Sequence, residues 1–63
     1  MTRVRFFFQS DCAEFEVGWS ALVTSSMIRE AMSGCGFMWL PSDDGGTFVN
    51  VMACTRIEIA ELG

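Results

Sequence analysis

Four glutamates, Glu14, Glu16, Glu58 and Glu61, are the first side chains in this chain that could do chemistry. Two carboxylates held across a cleft can serve as the acid and base of sugar hydrolysis. Here, however, all four fall in alternating strands, where they read more simply as a solvated face. A chain of 63 residues also has little room for a substrate cleft. Three cysteines, Cys12, Cys35 and Cys54, are the only candidate nucleophiles of their kind. A reactive thiol needs a cation or a helix N-terminus to lower its pKa. Cys12 follows Asp11, Cys35 lies just past a predicted helix C-terminus, and only Cys54 has an arginine nearby, at Arg56. The wide spacing and odd count contain no CxxC pair, and there is no histidine to complete a zinc set. Free thiols are expected; one disulfide with a leftover thiol stays open. Asp43-Asp44-Gly45-Gly46 supplies two carboxylates, too few for a calcium loop. It reads as a hairpin turn, because Asp-Gly and Gly-Gly tolerate positive φ.

The four arginines, Arg3, Arg5, Arg29 and Arg56, suggest a different chemistry. Gathered from adjacent subunits, they could hold a small anion such as a nucleotide, with Trp19 or Trp39 stacking on it. Against eight acids they leave a net charge of −4. That balance disfavours nucleic acid, whose phosphates call for a basic stripe. The chain has no lysine, histidine or tyrosine. The commonest acid–base groups are therefore missing, and neither an enzyme nor a cofactor is expected.

The elements that must position these residues follow from periodicity. Arg3–Gln9 alternates with Val4, Phe6 and Phe8 on one face, and Ala13–Trp19 with Phe15, Val17 and Trp19. Joined by Ser10-Asp11-Cys12, they form a hairpin that sets Arg3 and Arg5 across from Glu14 and Glu16. Val23, Met27, Ile28, Ala31 and Met32 make the only helical stripe, starting at Ala21 or Ser25 and ending at Ser33 before Gly34. Gly36–Leu40, Thr47–Val51 and Thr55–Leu62 read as three further strands. Met52-Ala53-Cys54 reads as a bend or a single helical turn. One domain over residues 1–63 is expected, of the α+β class. It is an antiparallel sheet of about five strands in the order ββαβββ, with the helix on one face. The expected core is Val4, Phe6, Phe8, Phe15, Val17, Met27, Ile28, Met32, Ile57 and Ile59. The uncovered face holds Phe7, Met38 or Trp39, and Phe48 or Val49.

Residues Asp44–Val51 and Thr55–Ile59 resemble the turn–strand–Val-Asn–bend–Arg-Ile-Glu ending of small SH3-like or Sm-like bacterial and phage β-proteins. The resemblance implies an oligomer-prone β module in a bacterial or phage setting, whose last strand pairs back after the bend. The preceding hairpin and helix depart from the Sm arrangement, and the acidic balance departs from RNA binding.

Half of the chain, 51%, is hydrophobic. A domain this small buries only about 60% of its unfolded surface and gains from a partner. A homo-oligomer is therefore expected, with Phe7, Met38 and Trp39 as interface residues. No apolar run reaches the roughly 18 residues of a membrane span. The basic start, Arg3 and Arg5, is not followed by the long apolar stretch of a signal peptide, so a cytoplasmic location is expected. Three roles remain: a protein-binding inhibitor or adaptor acting on a host or cellular protein, a small-anion binder, and a purely structural subunit.

Overall fold

The computed structural model describes residues 1–63. Its elements are β1 (Thr2–Phe7), β2 (Cys12–Val17), α1 (Ala21–Ser33), β3 (Phe37–Ser42), β4 (Gly45–Asn50), a 3-10 turn (Val51–Ala53) and β5 (Arg56–Glu61). The protein is α+β, with one helix and five strands. β1 stops at Phe7, two residues short of the Gln9 expected from alternation, because the turn closes early. The Phe8 N–H donates to the Asp11 carbonyl at 2.8 Å.

The strands do not form one sheet. They divide into a three-stranded sheet in the order β2-β1-β5 and a two-stranded sheet of β3 and β4, all pairs antiparallel. β5 returns to the edge of β1 that β2 leaves free, so both edges of β1 are taken. The hairpin β3–β4 then pairs only with itself. Alternation explains why this arrangement is stable. Each sheet turns an apolar face inward, and the core draws on both: Val4, Phe6 and Val17 from the first, Met38, Leu40 and Val49 from the second. Ile28 of α1 and Val51 of the 3-10 turn complete it.

This arrangement corrects part of the expected core. Met32 is 44% exposed, while Met38 and Leu40 are buried. Phe8, Phe15, Met27, Ile57 and Ile59 pack against the core from its margin. Phe6 meets Phe15 edge-on at 5.9 Å between ring centroids, a favoured aromatic geometry.

Helix α1 begins where Ser20 caps it, its hydroxyl accepting from the Val23 N–H at 3.2 Å. A second device fixes the same end from across the fold. Glu61, the last residue of β5, accepts from the Ala21 N–H at 2.9 Å and from the Thr2 hydroxyl at 3.3 Å. The Thr2 hydroxyl also lies 2.6 Å from the Trp19 carbonyl. Helix N-termini carry orphan N–H groups and favour negative charge. The Glu61 carboxylate is accordingly held below its ordinary pKa, first by the Ala21 N–H. At the far end, Gly36 adopts φ +86° and donates to the Ala31 carbonyl, a left-handed conformation that glycine adopts at little cost.

Two outcomes test this account. Phe6→Ala removes a fully buried ring and should cost about 3–5 kcal/mol in denaturant unfolding, enough to unfold most of so small a domain. Glu61 has a folded pKa below its unfolded value, so its stabilisation is present above the ordinary value of 4.5 and is lost as pH falls through the folded pKa. Thermal melts of Glu61→Gln should therefore vary less with pH than wild type across that acid window, and parallel curves would remove the assignment.

Candidate functional site

The outer face of the three-stranded sheet gathers half of the chain's charged side chains. Registers Arg3↔Glu16, Arg5↔Glu14 and Arg5↔Glu58 place arginines on the central strand between glutamates on both neighbours. Arg5 Nε donates to Glu14 Oε1 at 2.8 Å, and that bond pushes the guanidinium pKa up. Arg5 Nη1 lies 3.9 Å from Glu58, and Arg56 Nε lies 3.4 Å from the same carboxylate. Arg3 Nη2 reaches Glu16 at 4.0 Å. Arg3 Nε is buried and 3.6 Å from Glu14, too far for a hydrogen bond. These exposed pairs stabilise little individually. Their effect is to neutralise the face.

The structure thus brings together Arg3, Arg5 and Arg56 but leaves Arg29 apart on α1. The small hollow of about 80 Å3 beside Arg3 and Arg5 is also lined by Glu58 and Ala60. A carboxylate in the lining opposes an anion. Trp19 packs against the core. No group of three His, Cys, Asp or Glu side chains converges closely enough to hold a metal ion. Cys12 and Cys35 are exposed free thiols, and burial pushes the Cys54 thiol pKa up.

Phe7 also lies on this charged face. Its ring is half-buried and carries the Arg56 guanidinium 4.2 Å from its centroid. That cation–π contact covers the apolar ring with a cross-strand neighbour.

The exposed aromatic surface lies elsewhere, on the hairpin β3–β4, while Leu22, Val23 and Met32 are exposed on α1. Because side chains alternate along β3, Met38 and Leu40 enter the core and Phe37 and Trp39 face outward. Met38 is 4% exposed and pairs with Val49; the expectation that it lines an interface is corrected. The register sets Trp39 opposite Phe48, which is 70% exposed. Phe37, Trp39 and Met52 are also exposed. The Trp39 indole lies across Gly46, where an added Cβ would overlap the ring; the missing side chain makes room for the aromatic. Beside the hairpin an open groove of about 330 Å3 runs between α1 and β3. Met27 and Ala31 form one wall, Phe37 and Trp39 the other, and Glu30 is its single charged residue.

Charge is nearly absent from this region. Between Ala31 and Thr55 the only charged residues are Asp43 and Asp44, in the turn between β3 and β4. That gap is readable in the sequence. Which of Phe37 and Met38 faces outward is not, because both faces of β3 are apolar.

No protein-family model matches the chain, and neither a curated protein nor a solved structure is significantly similar to it. No helix is long and apolar enough to cross a membrane.

Gly46→Ala tests the seat of Trp39. The substitution should shift only one of the two indole N–H resonances and cost about 1–3 kcal/mol through overpacking. Unchanged spectra and stability would show that the ring does not lie there.

Proposed function

We propose that the protein is a self-associating binding module, not an enzyme, whose adhesive surface is the outer face of hairpin β3–β4. The observation that carries this reading is the coincidence of exposed aromatics with missing charge. Phe37, Trp39 and Phe48 are 49%, 46% and 70% exposed. Together they offer roughly 300 Å2, given about 150–250 Å2 for a whole aromatic side chain. A stable interface covers about 800 Å2 on each partner and is centred on aromatic and methionine anchors. The hairpin supplies such a centre, and Met52 and the α1–β3 groove adjoin it. A net charge of −4 makes like copies repel at long range. Contact costs least where charges are fewest, and that is this hairpin. The composition supports a binding role over catalysis, because no histidine or lysine is present to act as a general base. The small-anion reading loses support from the glutamates that already engage Arg3, Arg5 and Arg56. Trp39 and the groove beside it remain the place where a further protein partner would be anchored.

Light scattering across a concentration series tests the reading. Wild type should have a mass above that of one chain. A Phe37→Ser/Phe48→Ser double variant should fall to a single chain while keeping its circular dichroism spectrum. A wild-type monomer at every concentration would overturn it.

A further inference from the structure

We propose that two copies of the chain join antiparallel along the free edges of their β4 strands, with Phe48 of each copy opposite Phe48 of the other. The inference rests on the self-association reading and adds to it the edge, the symmetry and the register.

The choice of edge comes from elimination among the four strands that have one unpaired side. β1 alone is paired on both. β2 carries Glu14 and Glu16, and β5 carries Arg56, Glu58 and Glu61. Charges of this kind block edge-to-edge pairing. β3 contains Pro41, which lacks a donor, and α1 flanks it across the groove. β4, Gly45–Asn50, has neither charge nor proline, and every residue but Val49 is exposed. Its outer N–H and C=O groups are a template for another strand.

Symmetry then restricts the register. An antiparallel two-fold pair has its axis perpendicular to the sheet, so opposed residues come from the same face. Side chains alternate, so only residues of the same parity can oppose one another. Pairing about Phe48 sets Thr47 opposite Val49 and Gly46 opposite Asn50. It brings the two most exposed rings of the hairpins into direct cross-strand contact. Pairing about Thr47 would instead set Phe48 against Gly46, which the Trp39 indole already covers. The Phe48 register also separates the charges that remain. Asp43 and Asp44 of the two copies lie at opposite ends of the joined strands. Four strands in the order β3-β4-β4-β3 then carry one continuous stripe of Trp39 and Phe48 from both copies.

The self-opposed position makes a direct test. Phe48→Lys and Phe48→Glu, each checked for the wild-type circular dichroism spectrum, are measured alone and as an equimolar mixture by analytical ultracentrifugation. Like charges directly opposite destabilise a pair and opposite charges favour it. Each variant alone should dimerise at least about tenfold more weakly than wild type, and the mixture should recover most of that loss. Dimers that persist in both variants would overturn the β4 pairing while leaving self-association standing. Variants that stay monomeric when mixed would overturn the Phe48 register. A wild-type monomer would overturn the underlying reading as well. Amide exchange in wild type provides a measurement independent of any substitution. Protection of Gly46–Asn50 should rise with protein concentration while that of β2 does not; a pattern independent of concentration would overturn the proposal.

Discussion

β1 is hydrogen-bonded on both edges, and the other elements take their places from that pairing. Its inward residues Thr2, Val4 and Phe6 are fully buried. Its outward residues Arg3 and Arg5 meet carboxylates on β2 and β5. With both edges occupied, no site remains on β1 for β3 or β4. The hairpin β3–β4 pairs with neither of the free edges of β2 and β5, and it joins the fold through its side chains. It does so with Met38, Leu40 and Val49, laid against Val4, Phe6 and Val17. A two-stranded ribbon has little stability by itself, so this face-to-face burial holds it in place.

The same pairing sorts the surface into two kinds. On the outer face of the three-stranded sheet, cross-strand registers bring opposite charges together, and even Phe7 is covered by Arg56. On the hairpin, the register brings Trp39 and Phe48 together, with no charge on the strands themselves and only Glu30 in the adjoining groove. All three exposed aromatic residues of the chain thus lie on one face of one hairpin, while exposed Leu22, Val23 and Met32 lie on α1. A small domain cannot hide them, because eight apolar residues already fill the core. The proposed assembly follows from this physical circumstance: burial that one copy cannot provide can be provided by two.

Glu61 ties the two ends of the chain's order together. It lies at the end of β5, yet it completes the N-terminus of α1 and bonds Thr2 at the start of β1. Sequence separation conceals such contacts. As one of two glutamates near the C-terminus, it reads as solvated surface, and only the return of β5 to β1 carries it to the Ala21 N–H. Met38 shows the opposite difficulty. Its strand is apolar on both sides, so alternation identifies two faces without saying which is inside.

What the amino-acid sequence determined by itself was local. Alternation in Arg3–Gln9 and Ala13–Trp19 marks strands, and the Arg–Glu register between them follows from the short turn. The stripe through Val23, Met27, Ile28, Ala31 and Met32 marks the helix, and Asp43-Asp44-Gly45-Gly46 marks the hairpin. These features depend on residues within a few positions of one another. Tertiary structure alone decided that the five strands form two sheets, that Met38 turns inward while Phe37 turns outward, and that Arg56 covers Phe7. The first and last of these depend on β5 reaching β1 across most of the chain, a long-range pairing whose partner no local pattern specifies, and the second on which face of the hairpin packs into the core.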